Sequence, residues 1–174
     1  MMFKVSGRQT NVNSMKDQKI QDPSFLTMLF LSWFFTGKSP KAPGTVGSLA
    51  TIPLFYLLHY LHFNIYSLLA LIATLYIAAI LVTQSVQEKY HLHDPQWIVI
   101  DEVIGMLITW AFVMDTVPHH LFLVFAVFRF FDIVKFWPAS YFDKLHHGVG
   151  TITDDVISAL YSGLIVKIII AYFP

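Results

Sequence analysis

Seven of the charged side chains that stand inside otherwise apolar stretches of this 174-residue chain indicate its chemistry. They are five carboxylates and two cations: Asp101, Glu102, Asp132, Asp154, Asp155, Arg129 and Lys135. Neighbouring carboxylates in an apolar setting repel one another and lose hydration unless a cation binds between them. The chain has no cysteine, and ligands that are all oxygen favour magnesium or manganese over zinc. The sequence therefore predicts a divalent-metal site held by Asp101, Glu102, Asp154 and Asp155.

A second cluster, suited to anions, lies in the segment KSPKAPGTVGS, residues 38–48. Gly44 lets the backbone turn and expose its N–H groups, Thr45 offers a hydroxyl at a helix start, and Lys38 and Lys41 add positive charge. Exposed backbone N–H groups at the start of a helix bind anions. The segment does not contain the Walker A pattern, and ordinary helix capping is the alternative explanation.

These residues must be positioned by a chain whose composition is typical of a membrane protein. Hydrophobic residues make up 56% of it and charged residues 13%, whereas soluble domains carry about 25% charged residues. Eleven basic and eleven acidic residues balance, which disfavours nucleic-acid binding. The polar residues 1–22 show no signal-peptide pattern and are expected to form a cytoplasmic tail ahead of a membrane-embedded domain, residues 23–174.

Six apolar stretches follow that tail. The first, 24–36, would make only about 20 Å of helix, too short to span a bilayer, and we expect it to lie in the interface or to re-enter the membrane. The other five are 46–61, 65–86, 97–114, 119–136 and 152–173. The sequence therefore predicts an all-α fold, a polytopic membrane helix bundle with about five spans and a short N-terminal interfacial helix.

Basic residues favour the cytoplasmic side of a membrane, and their positions predict the topology. With residues 1–44 inside, alternating spans place the loops near 87–96 and 137–152 on the same side, and ten of the eleven basic residues lie inside or at the inner interface. Only Lys167 does not. In this orientation the seven charged residues named first, from Asp101 to Asp155, lie at one depth, at the cytoplasmic ends of their helices.

Four segments in this order and spacing resemble the bacterial phosphatidylglycerophosphatase A family over about residues 24–172: APGTVGSL (42–49), VIDEVIGMLIT (99–109), FRFFDIVKFWP (128–138) and GVGTITDDV (148–156). The resemblance implies an all-helical, magnesium-dependent enzyme of the inner membrane. It further implies removal of the terminal phosphate of phosphatidylglycerophosphate, giving phosphatidylglycerol. The positions that match the family's motifs are Gly44, Thr45, Asp101, Glu102, Arg129, Asp132, Lys135, Asp154 and Asp155.

The residues themselves agree with phosphate-ester chemistry. Such a reaction needs cations to hold the phosphate, a metal to polarise it and a carboxylate to receive a proton. We expect Arg129, Lys135 and Lys41, with the backbone at Gly44 and Thr45, to hold the phosphate. The catalytic carboxylates are predicted to be Asp101, Glu102, Asp132, Asp154 and Asp155. A metal-activated water is favoured because the chain has no cysteine and no D-x-D-x-[TV] motif, but an aspartate nucleophile stays an alternative, and the proton acceptor is not assigned to one carboxylate.

Two other classes of protein use similar residues or share part of this composition. A cation-coupled transporter also places carboxylates in membrane helices, but near the midplane and between internal repeats, and the sequence shows neither. A non-catalytic membrane adaptor would need no acidic cluster. The lipid substrate and the membrane are therefore the expected partners.

Overall fold

The computed structural model describes residues 23–92, 95–142 and 148–173, and every regular element within these ranges is helical. The elements are α1 (Phe25–Leu31), a 3-10 turn (Thr36–Lys38), α2 (Pro43–Tyr60), α3 (Ile65–Tyr90), α4 (Ile100–Ala111), α5 (Pro118–Val134), α6 (Ala139–Phe142) and α7 (Gly148–Tyr172). The predicted all-α class is confirmed for these ranges. The predicted polar tail, residues 1–22, lies outside them.

Local sequence signals explain where several helices begin. Pro43 and Pro118 occupy the first positions of α2 and α5, where a missing N–H costs nothing and the fixed φ suits the helix. The side chain of Asn64 accepts a 3.0 Å hydrogen bond from the backbone N–H of Ser67 and so caps the start of α3. Residues 61–64 connect α2 to α3.

Helix α1 has only seven residues and is about 10 Å long. It is followed by three residues in the left-handed region, Trp33, Phe34 and Phe35, with φ of 43°, 55° and 67°. The stretch 24–36 is therefore not one continuous helix, and its helical part is too short to cross a bilayer.

Helix α4 forms the centre of the bundle and packs against α2, α3, α5 and α7. Ten of its twelve residues are buried, and the ring of Trp110 stacks on Phe55 of α2 with 4.9 Å between centroids. Its length is about 18 Å, well short of the roughly 30 Å hydrocarbon layer. The prediction of a span over 97–114 is therefore wrong in its extent: this segment contains a short helix that its neighbours enclose.

Two helices in the described ranges are long and apolar enough to cross a membrane: α3, and residues Ile152–Tyr172 of α7. Only 17% and 33% of their most apolar windows are buried inside the bundle. Their apolar side chains therefore face mostly outward, as lipid-facing side chains do. The sequence predicts about five spans, whereas two helices in the described ranges are long and apolar enough to be counted as spans.

Three helix boundaries differ from the prediction in ways that move site residues. Helix α2 begins at Pro43 rather than residue 46, because proline is well suited to the first helical position, and Gly44 therefore lies in the first turn. Helix α7 begins at Gly148 rather than residue 152, since two glycines weaken a helix without preventing it. Asp154 and Asp155 consequently lie well inside α7 and not at its start.

The third boundary concerns Lys135, whose spacing of three residues from Asp132 and six from Arg129 would place all three on one face of a continuous helix, here called a stripe. Helix α5 ends at Val134, and Lys135 caps it in the left-handed conformation with φ 45°. The residue before a proline is sterically restricted from helical geometry, and helices usually end ahead of it; Pro138 follows three residues later. Lys135 therefore leaves the stripe and approaches the site from the end of the helix.

Candidate active site

Three carboxylates from two helices meet at one end of α4. Asp101 and Glu102 belong to its first turn, and Asp155 reaches them from α7. One oxygen from each residue lies within 4.8 Å of the other two. We call these three residues the acidic trio. Among histidine, aspartate and glutamate side chains in the described residues, it is the one group of three or more with this spacing.

The acidic trio has the properties of a site for a hard divalent cation. Asp101 is 9% exposed and Asp155 3% exposed, so their charges are largely removed from solvent. Glu102 Oε2 is buried and accepts no hydrogen bond from the described residues. Buried like charges require a compensating cation, and oxygen-only ligands suit magnesium. The residues present therefore fit the predicted metal, with three of the four predicted ligands brought together.

The start of α4, which carries two members of the trio, is fixed by Val99. The backbone N–H of Val99 donates a 2.9 Å hydrogen bond to the carbonyl of Leu31 in α1. A Cβ on Gly47 of α2 would lie 2.9 Å from Val99 Cβ, and one on Gly37 would lie 3.2 Å from Val99 Cγ1. Two glycines and one backbone hydrogen bond therefore hold Val99 between α1 and α2. Val99 in turn positions Asp101 and Glu102, which follow it in the chain. Their negative charges are favourable there because the N-terminus of a helix is partly positive.

Gly44 brings the first turn of α2 into direct contact with the trio. A Cβ on Gly44 would overlap Glu102 Oε1 and lie 3.2 Å from Nη1 of Arg129. The absence of a Cβ lets the glutamate carboxylate lie against the N-terminal end of α2, and a larger residue would have to displace that side chain. Thr45 is half-buried next to Gly44, whereas Lys41 is exposed just before the helix. In the described ranges no ion pair joins Lys41 to the trio.

Arg129 links α5 to the trio. Its Nη1 contacts the carboxylate of Asp132, three residues along the same helix, and lies 3.8 Å from Glu102 Oε1. Its Nε is buried and has no hydrogen-bond partner among the described residues. Asp132 is itself 8% exposed. The guanidinium is therefore held between two carboxylates and keeps further donors.

Lys135 and Asp154 form a separate ion pair next to the trio. The ammonium of Lys135 contacts Asp154 Oδ2. The Asp154 side chain is 3% exposed and that of Lys135 is 29% exposed. Asp154, predicted as a fourth metal ligand, is not a member of the trio found in the structure, and its carboxylate contacts the lysine.

Polar contacts along α7 hold Asp155 in place, and several of these have no clear signal in the sequence. Tyr76 of α3 hydrogen-bonds Thr153 Oγ1 at 2.8 Å, directly before the aspartate pair. Ser158 donates to the carbonyl of Phe131 at 3.3 Å, which joins α7 to α5. A tyrosine in an apolar helix does not indicate such a contact, whereas the three-residue spacing of Asp155 and Ser158 is typical of one helical face.

The chain is thus an all-helical protein in which a buried group of three carboxylates, beside Arg129 and the first turn of α2, could hold a metal ion. The family model described as phosphatidylglycerophosphatase A matches residues 29–170. The chain belongs to this family, so the resemblance found in the sequence is confirmed.

Three curated relatives align with parts of the chain. Phosphatidylglycerophosphatase A of Haemophilus influenzae is 36% identical over 95 residues, 54% of this chain and 58% of that protein. The protein of the same name from Escherichia coli K12 is 36% identical over 84 residues, 48% and 49% of the two chains. A Bacteroides thetaiotaomicron protein, named provisionally as a phosphatidylinositol-3-phosphatase, is 34% identical over 77 residues, 43% and 48% of the two chains. The alignments thus span about half the length of these relatives. No solved structure matches the chain.

Proposed function

We propose that this protein is a magnesium-dependent phosphatase that hydrolyses the terminal phosphate monoester of phosphatidylglycerophosphate, giving phosphatidylglycerol and phosphate. Family membership and the names of two relatives support the substrate. The observation that carries the proposal is the buried trio of Asp101, Glu102 and Asp155 with Arg129 beside it.

Asp101, Glu102 and Asp155 would hold the magnesium ion. When bound, the ion supplies a Lewis acid that stabilises negative charge on phosphoryl oxygens. The trio carries three carboxylates in a buried position, so it binds a divalent cation more readily than a phosphate, which it would repel. The substrate phosphate must therefore be held by the cationic residues and backbone N–H groups around it.

Arg129, Lys135 and the start of α2 have this role in the proposal. A guanidinium binds phosphate through two parallel hydrogen bonds, and Arg129 adjoins both Glu102 and the Gly44 position. Backbone N–H groups at Gly44 and Thr45 add donors at a positive helix end. Lys41, exposed before α2, adds long-range attraction for the anionic headgroup.

Asp132 is the carboxylate that we assign to proton transfer. It lies outside the acidic trio and contacts Arg129, which lies 3.8 Å from Glu102. It would therefore lie beside the bound phosphate and an attacking water, without being required as a metal ligand. A carboxylate placed within reach of that water can accept its proton as the new P–O bond forms.

The protein is proposed to be a multi-pass protein of the bacterial inner membrane with this site facing the cytoplasm. The outward apolar faces of α3 and α7 support membrane insertion. The distribution of basic residues supports the orientation, because it places Lys38, Lys41 and Lys89 on the cytoplasmic side. The site would then meet the headgroups of the inner leaflet.

Phosphate release from the purified chain in detergent micelles tests the proposal. Phosphatidylglycerophosphate with magnesium should give release, and excess chelator should stop it. Phosphatidylinositol 3-phosphate, suggested by the name of the third relative, should give little under the same conditions. Release from the inositol lipid alone would reassign the substrate, and release from neither lipid would contradict a phosphatase.

A further inference from the structure

The adjacent aspartates of α7 contact different groups. Asp155 belongs to the acidic trio, whereas the carboxylate of Asp154 contacts the ammonium of Lys135. In α7 the two adjacent side chains differ in their contacts, whereas the adjacent Asp101 and Glu102 of α4 meet at one point. The structure therefore separates two residues that look equivalent in the sequence.

We propose that Asp154 is a positioning residue: it holds the ammonium of Lys135 where the substrate phosphate binds, and Asp155 alone of the pair binds the metal. This inference rests on the proposed function for its substrate arm. Its metal arm concerns only which side chains bind a cation and does not require turnover.

Because of where Lys135 lies, its side chain needs a partner that holds it in place before the phosphate binds. The residue lies outside the α5 helix, in the left-handed conformation with φ 45°, and its long side chain is 29% exposed. A lysine there has many rotamers, and ordering it only when the phosphate arrives would weaken binding. Contact with Asp154, which is 3% exposed and rigidly placed on α7, orders the stem beforehand. An ammonium has three N–H donors, so contact with one carboxylate oxygen is compatible with phosphate binding.

The ion pair also limits the charge around the trio. Asp154 and Lys135 together are neutral, so the pair adds no net negative charge beside Asp101, Glu102 and Asp155. Removing only the carboxylate of Asp154 would leave the ammonium uncompensated and lower the affinity for a cation by repulsion. Removing both charges together should restore that affinity if Asp154 is no ligand.

Manganese binding to the full chain in detergent, followed by electron paramagnetic resonance, tests the metal arm. Asp155→Asn should weaken Mn²⁺ binding about tenfold or more. Replacing a residue that only hydrogen-bonds to a metal ligand already costs about tenfold in metal affinity, and a ligand should cost at least as much. Asp154→Asn should weaken it less, and the double variant Asp154→Asn, Lys135→Gln should return to within about threefold of the wild type. If the double variant stays as weak as Asp155→Asn, Asp154 is a ligand and the inference is wrong.

Kinetics test the substrate arm. Asp154→Asn should raise KM for phosphatidylglycerophosphate about tenfold with a smaller change in kcat, because it disorders a binding group. Lys135→Arg, which retains the charge, should keep most of the affinity. Loss of kcat at unchanged KM in Asp154→Asn would overturn the assignment. If the wild type binds Mn²⁺ in the predicted pattern but releases no phosphate, the proposed function fails and the metal arm stands.

Discussion

Gly44 is a residue at which one added methyl group tests the site directly. A Cβ there would overlap Glu102 Oε1, so Gly44→Ala must displace either the glutamate or the start of α2. Misplacement of about 1 Å can cost on the order of 100-fold in rate, and we expect kcat/KM to fall by about 10- to 100-fold. Leu49→Ala, at an exposed position on the same helix (46% exposed), is the matched control. Turnover equal to the control would show that Glu102 is not required in its observed position.

The role of Arg129 in phosphate binding can be tested by removing its charge alone and by removing it together with the charge of Asp132. If the guanidinium binds the substrate phosphate, Arg129→Ala should lower kcat/KM by about 100-fold or more. Arg129→Lys should also lose much of it, since lysine lacks the bidentate fork. The double variant Arg129→Ala, Asp132→Ala should stay inactive. Near-normal phosphate release from the double variant would show that the arginine only neutralises Asp132, which it contacts.

At this scale the sequence predicts residue types well and their pairings poorly. Asp101, Glu102, Arg129 and Asp155 are conspicuous because charges in apolar stretches are rare. The separate contacts of Asp154 and Asp155 depend on where α5 ends, and Pro138 indicates that the helix stops before it without specifying the last residue. The overlap at Gly44 depends on a tertiary approach of two helices, so the sequence indicates only a flexible backbone there.

Among the helices, the contact between α4 and α5 depends on Gly105. A Cβ on Gly105 would overlap the ring of Phe128, which directly precedes Arg129. Overpacking of this kind typically costs about 1–3 kcal/mol, so Gly105→Ala should lower Tm and reduce activity by shifting α5. The second substitution Phe128→Leu should recover part of both losses. A Gly105→Ala protein with unchanged Tm would show that the ring moves away freely.

The apolar stretches predict that helices form, but they do not show which helices face lipid and which are enclosed by other helices. Apolar periodicity cannot separate a lipid-facing helix from an enclosed one, and α4 shows the consequence, because ten of its twelve residues are buried by protein. Its charged first turn was interpreted as the cytoplasmic end of a span. In the structure, α5 and α7 bring charged side chains to that turn, and α2 approaches it through the backbone of Gly44.

For the whole molecule, the orientation in the membrane can be tested because the chain has no cysteine. Single cysteines at Lys41 and at His62 would lie on opposite sides in the proposed topology. An impermeant maleimide added to intact cells, with the outer membrane permeabilised, should label His62→Cys and should label Lys41→Cys only after the inner membrane is opened. The reverse pattern would invert the topology and place the site outside.

In the proposed mechanism the acidic trio binds the magnesium ion, and phosphate release depends on that ion. The most direct measurement is phosphate release from phosphatidylglycerophosphate by membrane-inserted wild type, Asp101→Asn and Asp155→Asn across a magnesium titration. We expect magnesium-dependent release by the wild type and a loss of about 100-fold or more in both variants, at unchanged membrane insertion. Full activity in both variants, with the same magnesium dependence as the wild type, would contradict this mechanism.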